Sequence, residues 1–256
     1  MNENVKTKNT IQSVDRAIQI LKLFEDHEEL GVTEISKRLS LHKSTTFGLI
    51  TTLESNNMLE KNELTNKYRL GMELFCLGTK VNSGLRQTAY PYLEKLVALY
   101  SETVNLVILE YPYVVYLEKV ESSHSMRIST AIGEIRPLYC TAVGKALLAN
   151  MTDDKIREYI DSIELKKHTP NTIVNSKILQ MNLEKIRKLG YSTESEELEV
   201  GLCCIAAPIF NHIGKAFAAI SVSGPVSRMG EDMLENISKT LTQFTREISS
   251  KLGSTL

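Results

Sequence analysis

Three groups of side chains in this 256-residue chain have types and spacings that can do chemistry. The first is a polar set in the C-terminal half. Ser221 and Ser223 stand two apart in a strand-forming run, so both hydroxyls face one side of a sheet. Cys204 lies in a neighbouring apolar run. Thr141-Ala142-Val143-Gly144 opens a helix, and the backbone N–H groups and dipole at such a start favour an anion. With apolar neighbours such as Leu202 and Ile128, this set suits a small organic acid. Read as plain structure, the serines are ordinary strand residues, Cys204 is a small buried hydrophobe, and Glu194 belongs to a solvated acidic loop with Glu196, Glu197 and Glu199.

The second group is cationic. Between Ile35 and Leu53 stand Lys37, Arg38, His42 and Lys43, and no acid. Ser44, Thr45 and Thr51 add short hydrogen-bonding side chains suited to phosphate or base-edge contact. Lys61, Lys67 and Arg69 follow a little further on. Lys and Arg so grouped neutralise phosphates, and each such contact steepens the salt dependence of DNA binding. The third group is Cys203-Cys204 with His212 and His168. Its spacing matches no zinc pattern, and adjacent strand residues point to opposite faces. A thiol enzyme would need a base and an electropositive setting for its cysteine, and neither is visible. No catalytic residue, metal ligand or cofactor is therefore expected.

These side chains need elements to hold them. Residues 1–12 read as a polar arm. Ser13 is placed to cap a helix with the stripe Val14, Ala17, Ile18, Leu21 and Phe24. Thr33 is placed to cap a second helix that buries Ile35 and Leu39. Ser40-Leu41 makes a turn, and a third helix runs from His42 or Lys43 to Ser55 with Thr46, Leu49, Ile50 and Leu53 inward. Asn56-Asn57 ends it in the left-handed conformation. Strands at 58–61 and 67–70 flank a polar turn. The pattern predicts a winged helix-turn-helix, whose third helix enters a DNA major groove; the other use of such a module is protein binding.

Residues 72–100 read as helical. One face carries Met72, Phe75, Cys76 and Thr79. A second stripe carries Ala89, Leu93, Leu96, Val97 and Tyr100, with Pro91 near its first turn. From Val104 the period shifts to strands: VNLVILEY and VVYLEKV as a hairpin, then MRIST. Helices follow at 141–150, 153–162 and 176–189, then the strands CIAAPIF and AFAAISVSG, and a closing helix at 230–252. Hairpin-linked strands mixed with helices predict an α+β fold with an antiparallel sheet.

The totals agree. The length suggests two domains. A net charge of −1 excludes a general basic coat, so any DNA contact is local. Four cysteines without paired spacing fit a reduced cytoplasmic protein. The start MNENVKTKNT has no apolar core of a signal peptide, and no apolar run approaches the roughly 18 residues of a membrane span.

Three segments together resemble the isocitrate-lyase-regulator (IclR) family of bacterial transcription factors. They are SVDRAIQILKLF with VTEISKRLSLHKSTTFGLITTLE, then GEIRPLYCTAVGKALLA, then GYSTESEELEVGLCCIAAPIFNHIGKAFAAISVSGP. The resemblance implies a winged-helix DNA-binding domain (1–71), a helical linker (72–84) and a GAF- or profilin-like effector-binding domain (85–256). It implies homodimers, often paired into tetramers, on double-stranded operator DNA, with repression as the default. It also implies effector contacts at Ala142, Val143, Glu194, Cys204, Ser221 and Ser223. Two departures stand out. Gly48 replaces a frequent arginine, and a mid-helix glycine costs about 1 kcal/mol against alanine. Glu194 replaces an aspartate, and its extra methylene shrinks the pocket or redirects the carboxylate.

Overall fold

The computed structural model describes residues 10–78, 80 and 83–254. It divides into two compact units, Met1–Ser83 and Gly84–Leu256. The arm expected over residues 1–12 falls, up to residue 9, outside the described residues, as does Thr79.

The first unit begins with α1 (Gln12–Lys22), a short 3-10 turn at Leu23–Glu25, α2 (Val32–Arg38) and α3 (Lys43–Ser55). Strands β1 (Leu59–Asn62) and β2 (Lys67–Leu70) form the antiparallel wing, and α4 (Met72–Gly78) follows. Leu30 joins Tyr68 through a reciprocal backbone pair of 3.0 and 2.9 Å, which adds a third short segment to the hairpin. The core is Ile20, Phe24, Leu30, Ile35, Ile50, Leu53, Leu59 and Tyr68. Two tight turns fall as the composition requires. Ser40 (φ 52) and Asn57 (φ 55) both adopt the left-handed region, where short polar side chains are tolerated.

Three local expectations fail here. Helix α1 starts at Gln12 after Ile11, so Ser13 lies inside its first turn and caps nothing. Its buried face runs through Ala17, Ile20, Leu21 and Phe24, while Val14 and Ile18 are 53% and 48% exposed. Both faces satisfy a 3.6-residue period, and only the position of α3 selects between them. Helix α2 is capped two residues earlier than expected: Gly31 is the N-cap residue, and Glu34 accepts its N–H at 2.7 Å. Thr33 is therefore helical and exposed.

The second unit contains α5 (Ser83–Tyr100), β3 (Thr103–Glu110), β4 (Tyr113–Val120), β5 (Ile135–Pro137), α6 (Ala142–Leu148), α7 (Asp153–Ser162), α8 (Ser176–Leu189), β6 (Ser192–Ser195), β7 (Leu202–Phe210), β8 (Ala216–Pro225) and α9 (Glu231–Lys251). The six strands form one antiparallel sheet in the order β5-β4-β3-β8-β7-β6. One face packs on α6, α7 and α8 through Val107, Ala146, Leu147, Ile156, Leu183, Ala206 and Ala219. The other packs on α5 and α9 through Leu93, Leu96, Leu106, Ile205, Ile220, Ile237 and Leu241. A sheet covered on both faces explains why β3, β7 and β8 read as continuous apolar runs rather than alternating ones.

Further corrections concern this unit. MRIST is not a strand; residues 126–130 carry no ladder, and the strand beside β4 is β5. The segment is held instead by side chains, with Thr103 donating to the Ile128 carbonyl at 3.1 Å. Strand β6 has no apolar alternation to betray it, being Ser-Thr-Glu-Ser, yet Ser192 and Glu194 alternate inward as it pairs with β7. Pro91 lies well inside α5 rather than in its first turn. It is exposed, so the carbonyl left without its helical donor sits on the water side, where the loss costs least.

Candidate functional site

The two sets of candidate residues lie one in each unit. In the first unit, Lys37, Arg38, His42, Lys43, Ser44 and Thr45 are all exposed, spread over the end of α2, the turn and the first residues of α3. Among the described residues, Lys37, His42, Lys43 and Lys61 form no ion pair, and Arg38 acts at longer range on Glu34. The wing is less positive than expected. Lys67 pairs with Glu34 at 3.3 Å and Arg69 with Glu60 at 3.0 Å, so two of the three wing cations are already partly neutralised. Phe47 is 55% exposed on the outer face of α3, beside Gly48. A Cβ added at Gly48 meets nothing within 4 Å, so the glycine answers no packing demand. Thr52 donates to the Gly48 carbonyl, which keeps its hydroxyl within the helix.

In the second unit, Ala142, Val143, Glu194, Cys204, Ser221 and Ser223 all line one small pocket, with Tyr116, Thr141, Leu198 and Leu202. Strand pairing brings them together. Glu194 lies opposite Cys204, and Cys204 opposite Ser223. The sequence separates Ser221 from Glu194 by 27 positions, and the sheet sets them two strands apart. Helix α6 closes the pocket because Ser192 donates to the Ala142 carbonyl and so ties α6 to β6. Thr141 caps α6, its Oγ1 accepting the Gly144 N–H at 3.0 Å. The Lys145 N–H is taken by the Thr141 carbonyl. The free backbone donors expected at this turn thus narrow to those of Ala142 and Val143. Ile128 is not in the pocket; it lines a separate surface recess with Met126 and Val200. The free volume is about 20 Å³, room for one water.

The electrostatics are set by burial. Glu194 is only 1% exposed. Desolvation pushes its carboxyl up to about 7, aided by the neighbouring Glu197 carboxylate and opposed by the backbone N–H groups of Glu197 and Leu198 and by Lys145. Those N–H groups donate to Glu194 Oε1 at 2.5 and 3.2 Å. Burial, then the Glu194 charge, holds the Cys204 thiol well above its ordinary value. It stays protonated, which is the wrong state for a nucleophile. Cys203 faces the opposite core, and His212 is exposed in the β7–β8 turn. Among the described residues, no group of three or more His, Cys, Asp and Glu is placed to hold a metal.

Reading the sequence missed the support of this pocket. Lys145 is fully buried and pairs with Glu197, whose second oxygen has no partner. Tyr116, Leu198 and Asn105 were also unmarked. A lysine inside an apolar helix is a visible signal, but its acidic partner lies 52 residues on and is one of four nearby glutamates.

Comparison with known proteins places the chain. Residues 13–63 match the IclR helix-turn-helix domain and residues 79–250 the bacterial transcriptional regulator IclR C-terminal domain. The chain belongs to the IclR family. It is 33% identical to the transcriptional regulator KdgR of Escherichia coli strain K12 over 97% of this chain and 95% of that protein. It is 33% identical to the transcriptional repressor AllR of the same organism over 94% of this chain and 90% of that one. A crystal structure of an IclR homolog from Microbacterium hydrocarbonoxydans, complexed with 4-hydroxybenzoate, shares the fold with a TM-score of 0.84 at 24% identity, over 94% of this chain and 98% of that one. This IclR-family chain is therefore a helix-turn-helix transcriptional regulator, and its α+β second unit is the family's C-terminal domain. No helix among its described residues is long and apolar enough to cross a membrane.

Proposed function

We propose that this regulator represses transcription from pseudo-palindromic operators and that a small organic acid, bound at Ala142, Val143, Glu194, Cys204, Ser221 and Ser223, controls its hold on DNA. The observation that carries the reading is the convergence of these six residues from α6, β6, β7 and β8 on one small pocket that sets hydroxyls, a thiol and a carboxyl inside an otherwise apolar layer. Hydroxyls, an amide-rich turn and a protonatable carboxyl suit an acid bearing a further oxygen function. The repressor AllR and the 4-hydroxybenzoate complex of the Microbacterium homolog support both halves of the reading.

Lys37, Arg38, His42, Lys43, Ser44 and Thr45 form the DNA-facing surface, with Lys61, Lys67 and Arg69 at its edge. The chain acts in the cytoplasm as a homodimer or tetramer, with residues 72–84 as the linker between a DNA-binding domain (1–71) and an effector domain (85–256). It is a binding protein rather than a catalyst, and it uses no cofactor. The effector works by linkage: it shifts the arrangement of paired recognition helices only if it prefers one arrangement over the other. The pocket has room for one water, so the effector-bound state is wider than the one described.

The test is footprinting on the DNA flanking the gene, with and without a panel of keto-, hydroxy- and aromatic acids. A protected palindrome that one acid weakens or strengthens is expected. Ser221→Ala with Ser223→Ala then abolishes the response and leaves effector-free protection intact. A normal response from that double variant moves the site elsewhere.

A further inference from the structure

Beside the pocket serines, on the same face of the sheet, lies a residue with no part so far. Asn105 on β3 is fully buried and pairs across the ladder with Ser221, while Thr103 pairs with Ser223. Its Nδ2 stands 3.4 Å from Ser221 Oγ and 3.4 Å from Ser223 Oγ. Its Oδ1 accepts from the Thr130 hydroxyl at 2.6 Å. With its oxygen engaged by Thr130, the amide turns its nitrogen to the two serines. An amide nitrogen carries two protons, one for each hydroxyl oxygen. The two hydroxyls also stand 3.4 Å apart, so one donates to the other; with Asn105 donating to both oxygens, a ligand oxygen that replaces this bond receives both serine protons. Ser223 also reaches Cys204, and sulfur is a weak acceptor that an incoming oxygen anion readily replaces.

We propose that Asn105, held by Thr130, orients the Ser221 and Ser223 hydroxyls as donors into the pocket, so that the site selects a carboxylate over the neutral amide of the same shape. The inference rests on the effector reading above and deepens it by naming a selectivity device. Asn105 and Thr130 are positioning residues; they act through the serines and need not touch the ligand. Thr130 comes from the irregular segment 121–134, which also anchors to β3 through the bond between Thr103 and the Ile128 carbonyl. The orientation of the serines therefore depends on that segment staying seated on the sheet.

The experiment compares matched pairs on the full chain by saturation-transfer NMR and calorimetry: acetate with acetamide, lactate with lactamide, and 4-hydroxybenzoate with 4-hydroxybenzamide. It is run at pH 6, where Glu194 carries its proton and does not itself favour the amide. The wild-type chain prefers the acid by about tenfold, the worth of one charge-assisted hydrogen bond over a neutral one. In Asn105→Leu the serines lose the donor that holds their oxygens, are left to bond each other, and the preference collapses toward unity. In Thr130→Val, which keeps the core intact if the leucine variant fails to fold, the preference falls by a smaller factor. General damage to the pocket lowers affinity for acid and amide alike and leaves their ratio in place. A wild-type preference that survives in both variants overturns the inference while the pocket stands. Binding of neither member of any pair overturns the pocket itself.

Discussion

Glu194 is the residue whose state decides most at the smallest scale. Its carboxyl titrates near 7 because it is buried, against an ordinary value of 4.5. Between those values the folded chain holds a proton that the unfolded chain releases. The unfolded state thus binds fewer protons, and stability falls as pH rises through this window. Below about 4.5 the contribution is fully present, and above about 7 it is lost. Glu194→Gln keeps an oxygen for the Glu197 and Leu198 N–H groups and removes the proton. Urea midpoints from pH 4.5 to 8 fall more steeply in the wild-type chain than in this variant; parallel curves would refute the assignment. The same proton governs the ligand: an acid bound beside Glu194 binds more tightly as pH drops from 8 to 6, and Glu194→Gln flattens that profile. On the DNA side, Lys43→Ala lowers the salt slope of operator binding by roughly 1 per bound protomer. Lys67→Ala and Arg69→Ala change it less, since Glu34 and Glu60 already face those cations. Equal slopes for all three variants would remove the distinction.

Among the elements, α3 and α8 make contrasting cases. In α3 the glycine at 48 faces open space, so Gly48→Ala stabilises the chain by about 1 kcal/mol through helix propensity alone. A raised melting temperature by circular dichroism is the expected result, and a lowered one would mean that the glycine meets a demand not evident in its surroundings. Helix α8 starts at Asn175, which accepts the Lys177 and Ile178 N–H groups at 3.0 and 3.1 Å. Asn175→Ala costs about 1 kcal/mol and leaves operator affinity unchanged, because the cap lies outside both candidate surfaces. These ends were readable because capping chemistry is local. The starts of α1 and α2 were not: Ser13 is a far better capping residue than Ile11 and Thr33 as good as Gly31, yet the packed position of each helix selected the register.

At the scale of the molecule, the two units carry separate cores and separate surfaces of chemistry. A regulator needs both: one to hold phosphates, one to sense a metabolite, and linkage between them. The second unit sets its polar pocket on the α6-facing side of a sheet whose opposite side is sealed by α5 and α9. Polar residues can persist there because each has a partner. Lys145 pairs with Glu197, Asn105 with the serines and Thr130, and Glu194 with two backbone donors.

The sequence by itself determined the helices with strong apolar periods, the turns at Ser40 and Asn57, the sorted cations before α3 and the continuous apolar strands. All of these depend on neighbours within a few residues. Only the tertiary structure decided that Ser-Thr-Glu-Ser is a strand, that MRIST is not, and that Lys67 and Arg69 of the wing are paired. It also brought Glu194 to Cys204 and Asn105 to Ser221. Pairing across a sheet joins residues distant along the chain, and polar side chains bear no periodic mark of the partner they will meet.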